Sequence, residues 1–168
     1  ARAATQADDL GERFRQQSQE LSQSSARAAE QAASLRQAQH RATRDIFLRS
    51  ATVMVDELNT LAVDLHNLLE TDIPDDVWRG FHRGDRSIFA RRLFRMKDTY
   101  IVPAIEQRYQ RDAKFRDMVT RYISKFEELL EQAAEADPES LLNAAFITAD
   151  VGKLYLVMSR TLGRAVEH

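Results

Sequence analysis

Residues 10–45 read LGERFRQQSQELSQSSARAAEQAASLRQAQHRATRD, a stretch with no proline and one glycine, Gly11. Phe14, Leu21, Ala28, Leu35 and Ala42 recur in it at intervals of seven, the spacing that aligns side chains along one seam of a coiled coil. Three residues after each stand Gln17, Ser24, Gln31, Ala38 and Asp45, and Leu10 precedes the series. A seam so rich in polar residues and alanine holds strands together only weakly. The expected oligomerisation positions are Leu10, Phe14, Leu21, Ala28, Leu35 and Ala42, on a coiled-coil stalk spanning 1–45.

Working outward, nothing breaks the helical pattern from about Ala7 to about Glu70, which predicts one helix of about 95 Å at 1.5 Å per residue. Its character changes near Asp45. From there Ile46, Phe47, Val53, Met54, Leu58, Leu61, Leu65, Leu68 and Leu69 form a broad apolar stripe of the kind that packs against several helices. Asp72 and Pro74 stop this helix and start a short one with Val77, Trp78 and Phe81. Gly80 and Gly84 end it, and Asp85 is placed to cap a third piece carrying Ile88, Phe89, Leu93 and Met96. Pro103 either kinks that piece or restarts it. Asp112 is placed to cap a helix presenting Phe115, Met118, Val119, Tyr122, Ile123, Phe126, Leu129 and Leu130 on one broad side, and Asp137-Pro138 reads as the start of a last helix from Pro138 to about Arg164 carrying Leu141, Leu142, Ala145, Phe146, Ala149, Leu154, Leu156, Val157 and Leu162. Alternating β-branched runs between glycine turns are absent. The fold class is all-α, a long N-terminal coiled-coil helix running into a C-terminal helical bundle, the head, at 46–165.

A chain of 168 residues with 43% hydrophobic content buries one core. With 24 basic against 26 acidic residues it has no overall field for nucleic acid or anionic membrane. The lack of cysteine removes thiolate chemistry and sulfur-ligated metal. No apolar run approaches the 18 or so residues of a membrane span, and the alanine-rich opening helix has too little bulk for direct membrane binding. The start at Ala1, inside a helical pattern, reads as a fragment of a longer coiled coil, and Val166, Glu167 and His168 resemble the remnant of a polyhistidine tag.

The order of a long Ala/Gln/Arg/Glu-rich helix and a compact helical end closing in Ile147-Thr-Ala-Asp-Val-Gly-Lys-Leu-Tyr-Leu-Val-Met-Ser-Arg-Thr-Leu-Gly-Arg164 resembles the C-terminal region of long coiled-coil scaffold proteins of alphaproteobacteria, a group that includes TipN-type cell-polarity factors. The resemblance implies a non-enzymatic, cytoplasmic scaffold that self-associates and recruits partners. It transfers no functional residue.

The most distinctive local chemistry is Arg79 to Lys97, where Arg79, Arg83, Arg86, Arg91, Arg92, Arg95 and Lys97 face a single acid, Asp85, and alternate with Phe81, Phe89 and Phe94. Phosphate neutralisation with aromatic stacking gives a nucleic-acid module this look, yet an amphipathic helix with a solvated basic side gives it too, and that reading is preferred. The acidic run Glu127, Glu128, Glu131, Glu135, Asp137 and Glu139 offers the basic segment a partner within the fold or on a second copy. Trp78 with these arginines forms the partner-binding candidate set, with a core role for the tryptophan the stronger reading. Asp64 and His66, two apart on a helix, point to different sides and make no metal pair. Gly152, inside the last helix, reads as a close approach by a neighbouring helix, with simple tolerance of a glycine there as the alternative. No paired acids, nucleophile with base, phosphate loop or metal spacing is present, so neither an enzyme nor a cofactor is expected. The reading is an oligomerising scaffold domain, a parallel homodimer docking a protein partner through its head, with a nucleic-acid module using Arg79 to Lys97 as the alternative.

Overall fold

The computed structural model describes residues 2–166, with side chains through 163. Glu167 and His168 of the expected tag remnant lie outside the described residues, as does the side chain of Val166. The described residues form seven helices and no strand: α1 (Arg2–Leu69), α2 (Asp75–His82), α3 (Ile88–Arg95), α4 (Asp98–Arg111), α5 (Ala113–Ala136), α6 (Leu141–Thr148) and α7 (Asp150–Val166). The protein is all-α, with a first helix of 68 residues. The chain divides into two compact units, one through Thr43 and one from Arg44 onward.

The first unit is the part of α1 through Thr43 alone. Alanine, glutamine, arginine and glutamate lose little rotamer freedom in a helix, which accounts for its continuity. Its described residues are exposed, with Gly11 half-buried, so it has no core of its own.

The second unit holds the core. On α1, Phe47, Ala51, Met54, Leu58, Ala62 and Leu65 are buried at steps of three and four, the stripe of an amphipathic helix. Ile46 and Val53, expected on that stripe, stand instead 69% and 59% exposed. Each precedes a buried residue by one, about 100° around the helix, and that turn carries it off the packed side. Phe47 meets Phe146 edge-on at 6.0 Å. On α5, Phe115, Val119, Tyr122, Phe126, Leu129, Ala133 and Ala136 are buried at the same alternating steps, and Phe126 stacks on Tyr155 of α7 at 4.6 Å. The start of α5 is fixed by Asp112, whose Oδ1 accepts from the amides of Lys114 (3.0 Å) and Phe115 (3.3 Å).

Three expected boundaries differ. Asp85 does not cap α3, which begins at Ile88 after Ser87; its carboxylate is taken by Arg91. The chain breaks at Met96 and Lys97, whose ψ values of 145° and 138° are extended, while Pro103 stays inside α4 between buried Ile101 and Ile105. The last helix is two. Ser140 adopts a left-handed φ of 63° before α6, Pro138 lies outside any helix, and buried Asp137 reaches forward to accept from the Leu142 amide at 3.0 Å. Ala149 then turns extended, and α6 meets α7 at 76°.

Candidate interaction site

The expected seam residues share one property in the first unit: none of the described residues covers them. Leu10 is 66% exposed, Phe14 71%, Leu21 69% and Leu35 65%, and Ala28 and Ala42 are exposed beside them. Single exposed apolar residues are ordinary on a protein surface. Three bulky ones along one sevenfold series, with Leu10 just before it, on a helix without a core are not, because a helix with no apolar side packed is only marginally stable in water.

The basic segment is scattered, and three of its arginines connect elements of the second unit. Arg86 places its guanidinium 4.1 Å from the centre of the Phe81 ring and donates to Asp56 on α1 at 3.1 Å. Arg91 pairs with Asp85 and, at 3.3 Å, with Asp150 in the first turn of α7. Arg92 donates its Nε–H to His66 Nε2 at 3.3 Å and lies 4.0 Å from Glu70. Arg79, Arg83, Arg95 and Lys97 are exposed, and no carboxylate pairs with them among the described residues. The acidic run is dispersed too: Glu127 accepts from the Tyr155 hydroxyl at 3.0 Å, Glu128 lies 3.9 Å from Lys125, and Asp137 is buried as a cap with Arg44 at 4.0 Å.

Trp78 is half-buried in an aromatic cluster, its ring 4.8 Å from Phe89 and 6.3 Å from Phe81. The cluster extends to His66, edge-on to Phe89 at 5.4 Å. That histidine is fully buried. As it accepts from Arg92 on Nε2, its proton sits on Nδ1, which finds no partner. Burial holds its pKa below the ordinary histidine value and Arg92 adds to the effect, against the opposing pull of Glu70. Sequence spacing did not reveal this site, since Arg92 lies 26 residues away.

Beside it, a cleft of about 590 Å³ is lined by Glu70, Asp76, Val77, Ile88, Arg91, Arg92, Arg95 and Met96. Glu70 and Asp76 offset two of its three guanidinium charges, so it does not concentrate positive charge. Asp64 lies apart from His66 in a second recess of about 390 Å³ with Asp56, Glu57, Arg121 and Lys125. Among the described residues no three His, Asp or Glu side chains gather in a way that suits a metal ion, and no single helix is long and apolar enough to cross a membrane.

Ile46 and Val53 are the surface residues that the apolar count alone misplaced. The signal was available in their spacing, since Ile46 follows Leu35 by eleven residues, three helical turns, and Val53 follows Ile46 by seven. Comparison with protein-family models, with curated proteins and with solved structures finds no match.

Proposed function

We propose that the chain is a non-enzymatic oligomerising scaffold domain. Its first unit pairs with a second copy in a parallel coiled coil through Leu10, Phe14, Leu21, Ala28, Leu35 and Ala42, and its second unit docks a protein partner. The observation that carries this reading is the 65–71% exposure of the four bulky seam residues at coiled-coil spacing. Burying a large apolar side chain contributes about 1.5–3 kcal/mol, so four on each of two copies supply roughly 12–24 kcal/mol when fully covered. Association costs about 4–15 kcal/mol, and covering in a two-stranded coil is incomplete. The dimer is therefore a modest one.

The nucleic-acid alternative has less in its favour. Phosphate binding draws on free cations, and Arg86, Arg91 and Arg92 are occupied by Asp56, Asp85, Asp150 and Glu70. Arg79, Arg83 and Arg95 remain as charges for a protein partner.

Light scattering on the whole chain and on a version starting near Asp45 tests the reading. A dimer that becomes much weaker on truncation supports it; a monomer in both cases removes it. A salt series of DNA binding separates the alternative, which requires affinity to fall steeply as salt rises.

A further inference from the structure

We infer that a second copy of this chain also covers Ile46 and Val53, so that the self-association surface includes the part of α1 that carries the core of the second unit. This rests on the self-association reading above. Within the second unit, α1 has two apolar aspects, one packed and one open. Phe47, Ala51, Met54 and Leu58 are buried against the other helices, while Ile46 and Val53, 69% and 59% exposed, stand about 100° around the helix from Phe47 and Met54. They are seven apart and therefore share one line along the helix, which no element of the second unit covers.

Their position in the series identifies the occupant. Ala42 to Ile46 is a four-residue step and Leu35 to Ile46 an eleven-residue one. An inserted four-residue step unwinds a left-handed supercoil locally without interrupting the seam, because eleven residues complete three turns. A second copy, already aligned by the preceding sevenfold series, presents its own Ile46 and Val53 at the same height. An unrelated helix has no reason to match a four-residue step.

The structure also shows where the surface ends. One turn past Val53, Asp56 is engaged by Arg86 at 3.1 Å and Glu57 by Lys125 at 2.9 Å, and the next residue in the series, seven on, is Thr60, exposed and donating to the Asp56 carbonyl at 3.0 Å. Charge and hydroxyl replace apolar side chains there, and the paired segment stops between Val53 and Thr60.

The chain has no cysteine, so single substitutions report contacts directly. Leu35→Cys, Ile46→Cys, Val53→Cys and Thr60→Cys, each made in the full chain and oxidised mildly, are compared on non-reducing gels. The inference predicts that the first three form covalent dimer severalfold faster than Thr60→Cys. Rapid cross-linking at Leu35→Cys with Ile46→Cys and Val53→Cys no faster than Thr60→Cys overturns the inference and leaves the self-association reading intact. Slow cross-linking at all four overturns both. Separately, Ile46→Glu combined with Val53→Glu is expected to weaken self-association at least tenfold with helix content unchanged, since neither side chain enters the core; an unchanged dissociation constant overturns the inference.

Discussion

Gly152 lies against the carbonyl oxygen of Phe146, so close that a Cβ added at 152 has no room beside it. The 76° turn between α6 and α7 folds the end of one helix over the start of the next. The same Cβ would also stand 2.6 Å from the Ile147 carbonyl oxygen. Backbone oxygens cannot rotate away as a side chain can. Gly152→Ala is therefore expected to destabilise the second unit by about 3 kcal/mol or more. Gly163, in the same helix, has nothing within 4 Å of its added Cβ, and Gly163→Ala is expected to stabilise by about 0.5–1 kcal/mol through the unfolded chain. Thermal melts of the two variants check this: opposite shifts are expected, and matching shifts contradict the close approach.

Buried Asp137 starts α6 from five residues away by accepting from the Leu142 amide. Losing a cap costs about 1 kcal/mol, and the half-buried Leu142 amide is left without its acceptor. Asp137→Ala is expected to lower stability by about 1–2 kcal/mol in urea titrations, with Asp137→Asn, which keeps an acceptor oxygen, falling between it and the parent. If Asn and Ala cost the same and Arg44→Ala matches them, the ion pair with Arg44 is the dominant contact instead.

His66 makes stability depend on pH. In the fold its pKa is lowered, chiefly by burial, while the unfolded residue titrates near 6.5. As pH falls below that value, the unfolded chain takes up a proton that the folded chain resists. Stability thus rises with pH through this window; the contribution is complete above about 6.5 and is lost as pH drops through the folded value. Urea midpoints measured from pH 8 to pH 5 should fall more for the parent than for His66→Gln, which retains an acceptor for Arg92. Parallel curves contradict the buried neutral ring.

Arg91 and Arg95, four residues apart in the basic segment, should behave differently. Arg91, with only 26% of its side chain exposed, joins the turn before α3 to the first turn of α7, whose helix dipole also favours Asp150 there. Arg91→Ala is expected to cost about 1–2 kcal/mol, more than a fully exposed pair because two carboxylates lose their partner, whereas Arg95→Ala should change stability by less than about 0.5 kcal/mol. Chemical denaturation of both variants checks the contrast, and equal costs would contradict it.

The helical class, the unbroken α1 and the Asp112 cap of α5 were legible because each rests on local signals: periodicity, the absence of proline with Gly11 the single glycine, and a capping residue at its helix start. The break at Ala149 was not legible. Ile147-Thr148-Ala149-Asp150 contains no glycine or proline, and the turn is held by tertiary packing and by room at Gly152, whose oddity in a helix was the one visible trace. Asp137-Pro138 misled because the same pair that starts a helix also fits a turn, with the carboxylate reaching past Ser140. Ile46 and Val53 were assigned to the core because apolarity alone does not tell which of two neighbouring residues faces inward. The pairing of Arg91 with Asp150 and of Arg92 with His66 depends on long-range packing, which no short spacing encodes.

Sedimentation analysis of the full chain beside a Leu21→Asp, Leu35→Asp variant tests the central claim most directly, with circular dichroism and melting of the second unit recorded on the same samples. The account predicts a dimer for the parent and, in the variant, dissociation to monomer with the second unit still folded, because neither leucine touches its core. A parent that stays monomeric at high concentration, or a variant that remains dimeric with the parent's dissociation constant, contradicts it.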